Sequence, residues 1–224
     1  MNRVLTIATV GLAIAAFAGT GCKKNKNDGQ AAQSTPSVAT PAFVRVVHGA
    51  DAGSVDVAVN GVGVASGLAK NAFVRERVPF PAGASTVTVS ANGSQVAAAN
   101  INVNAGSNYT FVVLGNSASG FEGVLINDQL ADANGKNRFV HGVPGVGAVD
   151  VSTDAGVALV SGLNYRQASN FVAPPAGFQR AAVKSGGATI AVDAVPNNAA
   201  RAVTTVVVKQ GAGAHFINVV DRTN

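Results

Sequence analysis

One run of motifs occurs twice in this chain, in the same order and at an almost constant offset of 93–95 residues. Arg45-Val46-Val47-His48-Gly49 returns as Arg138-Phe139-Val140-His141-Gly142, and Val55-Asp56-Val57 as Val149-Asp150-Val151. Ser66-Gly67-Leu68 returns as Ser161-Gly162-Leu163, and Pro81-Ala82-Gly83 as Pro175-Ala176-Gly177. Tyr109-Thr110-Phe111-Val112-Val113 parallels Val203-Thr204-Thr205-Val206-Val207. Constant order and spacing over several motifs mark a duplicated structural unit. Each copy must therefore fold from about 90 residues, here 42–130 and 137–224.

Within a unit the pattern is strand and turn. Apolar runs of Val, Thr and Phe occupy Phe43–Val47, Val55–Val59, Phe73–Val78, Thr86–Ser90, Asn100–Val103, Tyr109–Leu114 and Val124–Ile126. Such side chains suit a pleated, half-buried surface. Turn signals punctuate them, among them Asn60-Gly61 and Asn92-Gly93, the dipeptide that favours two-residue hairpins. No window carries a sustained 3.6-residue apolar stripe. The expectation is an all-β protein of two tandem small antiparallel β-sandwiches, immunoglobulin-like or transthyretin-like. The short polar join Asp132–Asn137 would set them end to end or partly packed together. In the second copy, Gly186-Gly187 and Asn197-Asn198 suggest longer loops or a slipped register.

The first 41 residues differ in kind. Arg3 precedes an apolar run from Val4 to Ala18, too short to span about 30 Å of hydrocarbon comfortably. Small residues then lead to Cys22, the sole cysteine. This is the layout of an export signal, residues 1–21. Ala18-Gly19-Thr20-Gly21-Cys22 resembles the lipobox of bacterial lipoproteins. That resemblance implies cleavage before Cys22, acylation of Cys22 and anchoring in the cell envelope. Lys23, in place of an Asp after the cysteine, implies the outer membrane. Residues 22–41 hold almost no large apolar side chain and read as a flexible tether.

Composition narrows the function classes. Only 12% of residues are charged, there is no Trp, and the net charge is +5. The first 28 residues carry +3 of it, so the remainder is nearly balanced and a nucleic-acid partner is not expected. One Cys and three His exclude a multi-thiolate metal centre. No Gly-x-Ser-x-Gly elbow occurs, and Gly115-Asn116-Ser117-Ala118-Ser119 departs from it at its last position. The glycines of Gly61-Val62-Gly63 and Gly145-Val146-Gly147 lie in strand–turn context with no helix to follow, so they read as turns rather than a phosphate loop. No catalytic residue, metal or cofactor is assigned.

The strings RVVHGADAGSVDVAVNG, VPFPAGASTVTV and NYTFVVLG resemble the domain-of-unknown-function family 4397. The resemblance covers residues 43–221, both copies included. It implies a tandem β-sandwich in an exported protein and supplies no activity. The first copy lacks the family's Pro after His48, and the second has Pro144 without an adjoining Asp.

The best candidate constellation is His48 with Asp51 and Asp56, echoed by His141 with Asp150. A His and a carboxylate across a tight connection can hold a ligand, a metal or a proton. One His and one or two carboxylates per copy fall short of a metal site. The preferred reading is structural, with the His bonding loop carbonyls and the Asp accepting from loop amides. Arg45 and Arg138 fall on the strand face opposite His and read as solvated. Arg75-Glu76-Arg77 reads as a charged edge. The expected function is a non-enzymatic, lipid-anchored envelope protein with a scaffold or adhesion role, whose partners are the membrane and envelope or surface components. The alternative is a small-ligand or glycan-binding module using the His/Asp loops.

Overall fold

The computed structural model describes residues 39–128, 130–197 and 199–222. The expected signal peptide, Cys22 and all but the last three residues of the expected tether lie outside the described residues. The described residues form one compact unit, and every regular element among them is a strand.

The first copy contributes eight strands: β1 (Ala42–His48), β2 (Val55–Val59), β3 (Val62–Leu68), β4 (Val78–Phe80), β5 (Gly83–Ala91), β6 (Ser94–Val103), β7 (Asn108–Asn116) and β8 (Gly120–Asn127). They form two sheets, β4-β1-β7-β8 and β3-β2-β5-β6. The second copy contributes β9 (Asn137–Gly142), β10 (Val149–Thr153), β11 (Ala158–Leu163), β12 (Arg180–Ser185), β13 (Ala188–Ala194), β14 (Arg201–Gln210) and β15 (Gly213–Arg222). Its sheets are β9-β14-β15 and β11-β10-β12-β13. The second copy's counterpart of β4 is reduced to an isolated bridge, Asn137 with Val172.

The sheets are antiparallel except for one pair in each copy. β1 runs parallel to β7, and β9 parallel to β14. Parallel neighbours need a long crossover, and the whole opposite sheet lies between the two members of each pair. β3 lies in a glycine-rich stretch that apolar runs do not reveal. The expected strand Phe73–Val78 is instead a loop with one bridge, Val47 with Phe73, leading into β4. Asn60-Gly61 and Asn92-Gly93 turn hairpins β2–β3 and β5–β6, all four residues at positive φ as a type I′ turn requires. The slipped register weighed for the second copy is not peculiar to it, because the shift at Val183/Lys184 is matched at Val89/Ser90 in the first.

Each sandwich has its own core. Val44, Val46, Val57, Val89 and Phe111 anchor the first, and Phe139, Val151, Val183, Val203 and Val207 the second. A third core joins them. It contains Val47, Val112, Leu114 and Ile126 from the first copy and Val140, Val206, Val208, Ile217 and Val219 from the second. The sandwiches therefore pack face to face, sheet β4-β1-β7-β8 against sheet β9-β14-β15, rather than end to end. Strands β1, β7, β9 and β14 are buried on both faces, not half-buried. In β7, Tyr109, Phe111 and Val113 point into the sandwich, while Thr110, Val112 and Leu114 point into the seam. By contrast β2 and β10 alternate buried and exposed, as one-sided strands do.

The seam explains the glycine after each histidine. A Cβ on Gly49 would lie 2.6 Å from Val208 Cγ1, and one on Gly142 would lie 2.6 Å from Leu114 Cδ2 and 2.8 Å from the Val207 carbonyl oxygen. The Val208 and Leu114 contacts cross to the other copy, and the Val207 carbonyl belongs to the paired strand β14, so the two sandwiches approach too closely there for any side chain.

Candidate functional site

The sequence candidates do not converge on one site. His48 is fully buried at the end of β1, and its Nε2 lies 2.9 Å from the Gly53 carbonyl oxygen. His141 is equally buried, its Nε2 3.0 Å from the Gly147 carbonyl oxygen, and its Nδ1 accepts from the Val143 amide at 3.3 Å. An Nδ1 that accepts while Nε2 faces a carbonyl fixes the neutral Nε2–H tautomer. Burial pushes both imidazoles below their ordinary range, with the loop-carbonyl bonds opposing it.

The aspartates hold a different feature. Asp56 Oδ1 accepts from the Gly67 amide at 2.7 Å, and Asp150 Oδ1 from the Gly162 amide at 2.8 Å. Gly67 and Gly162 take positive φ, which turns their amides toward the neighbouring strand. The repeated Val-Asp-Val and Ser-Gly-Leu motifs are thus two halves of one strand-pairing device. Asp51 pairs with Lys70 on the surface, and that bond holds its carboxyl below the usual range. Among the described residues, no three His, Cys, Asp or Glu side chains gather as metal ligands would.

The polar cluster that the structure does assemble lies in the seam. Arg45 and Arg138 are 2% and 3% exposed, which corrects their reading as solvated residues. Arg45 Nη2 donates to Asp221 Oδ2 at 2.8 Å, and Arg138 Nη2 to Asp128 Oδ1 at 2.5 Å. These are reciprocal pairs, each arginine reaching the aspartate of the other copy. Thr110 accepts from Arg45, and Thr204 from Arg138, both at 3.0 Å. Thr110 also donates to Asp128 Oδ2 at 2.7 Å. Arg77 joins both carboxylates through Nη2, 2.8 Å from Asp128 Oδ2 and 2.7 Å from Asp221 Oδ1. Arg77 thus belongs to this cluster rather than to a charged sheet edge.

Burial alone would raise Asp128, but Arg138, Arg45, Arg77 and Thr110 overcome it and hold the carboxyl below its ordinary range. Burial likewise opposes the charge on Arg77, and the two aspartates hold it above its ordinary value. Three guanidinium groups face two carboxylates, so the cluster carries one surplus positive charge. Its unmet hydrogen-bonding atoms are donors: Arg77 Nε and Arg138 Nε are buried without an acceptor among the described residues.

Sequence reading missed Asp128 and Asp221. The signal for them is the repeat offset itself, since Asp128 directly follows β8 and Asp221 lies at the end of β15, 93 residues apart.

Pseudo-symmetry breaks beside Arg77. The position equivalent to Arg77 is Phe171, whose ring lies 4.7 Å from the Arg138 guanidinium carbon and covers that side. On the Arg77 side a cleft of about 900 Å³ opens, walled by Phe43, Phe73, Arg75, Arg201 and Val220, with Arg45 and Asp221 at its floor.

The family model described as Domain of unknown function (DUF4397) matches residues 42–138 and again residues 135–224. No curated protein matches the chain.

Proposed function

The chain belongs to the DUF4397 family, in two copies, and from that premise we propose that it is an exported, lipid-anchored cell-envelope protein that holds or contacts other molecules rather than transforming them. Cys22 is the anchor, residues 23–41 are the leash, and the body from residue 42 onward is the working part. The lipobox-like run before Cys22 supports the anchor. Two acyl chains bind a bilayer stably where one does not, at about 0.8 kcal/mol per buried methylene.

The observation that carries the non-enzymatic reading is how the repeated polar residues are used. His48 and His141 face loop carbonyls at the ends of β1 and β9, and Asp56 and Asp150 accept strand amides. Arg45 and Arg138 bind the aspartates of the opposite copy. The repeated side chains best placed for chemistry are engaged in building the body. Its outer faces and loops remain to meet partners.

Mass spectrometry of the mature N-terminus tests the anchor. The expected result is a chain beginning at an acylated Cys22. An intact Met1 chain in the cytosolic fraction would overturn it. Crosslinking in intact envelopes tests the role, with enrichment of envelope or surface components expected. A purified body that turns over a substrate would refute the non-enzymatic reading.

A further inference from the structure

The cleft beside Arg77 is a product of broken symmetry. Its three arginines have no charged counterpart in the other copy. Arg75 corresponds to Asn170, Arg77 to Phe171, and Arg201 to Ser107. The duplication supplied a symmetric pair of seam ion pairs. Arg75, Arg77 and Arg201 are additions to that pair, and all three line this one opening.

Charge makes this opening specific. The seam cluster holds three arginines and two aspartates, and Arg77, with a 17% exposed side chain, links it to the cleft. Both of Arg77's ion pairs use Nη2, and Nη1 takes no part in them. Arg75 and Arg201 make no side-chain ion pair among the described residues. Glu76, also on the rim, offsets one of these charges. The seam and rim together retain a surplus of two positive charges. A cleft with low-dielectric walls focuses such a field outward. Guanidinium groups suit bidentate binding of a carboxylate.

Shape adds the second half. Phe43, Phe73 and Val220 give the cleft an apolar wall beside the arginines. A volume of about 900 Å³ exceeds what one small ion needs and lies in the range of small-molecule sites.

We propose that this cleft binds an amphipathic organic carboxylate, its head between Arg75, Arg77 and Arg201 and its apolar body against Phe43 and Phe73. The site lies apart from the His/Asp loops and does not depend on the lipid anchor.

The test is calorimetric titration of 3-phenylpropionate into the full chain in nanodiscs at fixed ionic strength, with empty nanodiscs as the blank. Acetate and inorganic phosphate serve as head-only probes. The expected result is saturable one-to-one binding of 3-phenylpropionate, weakened about tenfold or more in R75Q/R201Q, with both head-only probes weaker in the wild type. Circular dichroism establishes that the variant keeps its fold. If it does not, R75Q alone, at an exposed side chain outside every ion pair among the described residues, carries the comparison with a several-fold loss expected. Absence of saturable binding, or equal affinity in the folded variant, would overturn the proposal. Phosphate binding as tightly as 3-phenylpropionate would overturn the amphipathic assignment.

Discussion

Asp128→Asn is the sharpest single perturbation of the seam. Asp128 is 1% exposed and accepts from Arg138 at 2.5 Å, Thr110 at 2.7 Å and Arg77 at 2.8 Å, with Arg45 at 3.5 Å. Asparagine keeps the size but removes the charge, and places an amide donor among donors that already lack acceptors. One buried aspartate would then face three arginines. Removing one partner of a buried ion pair costs about 3–5 kcal/mol, against about 0–1 kcal/mol for an exposed one. At about 2 kcal/mol per molar urea, the midpoint should fall by about 2 M with an unchanged slope. For a body of this size the melting temperature should fall by about 6–20 °C. Urea unfolding followed by far-ultraviolet circular dichroism measures it. A loss below about 1 kcal/mol would refute the reasoning, because the cluster would then be screened like a surface pair. The cycle with Arg138→Gln should show coupling of about 1 kcal/mol or more.

The remaining predictions concern the close approach at the seam and the response to acid. Gly142→Ala should destabilise by about 1–3 kcal/mol as overpacking does, measured by the same unfolding curves. Gly49→Ala should cost less, because it meets the Val208 methyl group at 2.6 Å but no backbone oxygen closer than 3.4 Å, whereas Gly142 also meets the Val207 carbonyl oxygen at 2.8 Å. Burial lowers the pKa of His48 and His141, so the unfolded chain binds protons first as pH falls. Their contribution is complete above the unfolded value of 6.5 and is lost as pH falls through the folded values. The paired variant H48Q/H141Q should flatten stability against pH below 6.5, although its baseline stability will be lower. Asp128 acts in a more acidic window. Its contribution is complete above 3.8 and is lost as pH falls through its lower folded value, so the acid limb should flatten in Asp128→Asn.

The duplication, the all-β class and the hairpins at Asn60-Gly61 and Asn92-Gly93 were legible because each rests on local chemistry or on repetition. The seam was not legible, and the reason is physical. Alternation reports whether one strand face is wet, and an arginine on a strand normally marks the wet face. In β1 and β9 that arginine faces another sheet carrying its aspartate. The available clue was the near-absence of polar positions in Tyr109–Leu114 and Val203–Val208, which suits strands buried on both faces better than half-buried ones. The Asp56–Gly67 and Asp150–Gly162 bonds were half legible. The motifs were visible, but their joining depends on the β2–β3 and β10–β11 registers. The cleft beside Arg77 was not legible, because it depends on which copy carries Phe171 and which carries Arg77.

The central structural claim is that two sandwiches share one buried seam and behave as a single body. Differential scanning calorimetry of residues 38–224 tests it most directly. One transition is expected, with calorimetric and van't Hoff enthalpies equal and near about 130 kcal/mol, at about 0.7 kcal/mol per residue. Two separable transitions, or a calorimetric enthalpy near twice the van't Hoff value, would contradict it and show two sandwiches that merely touch.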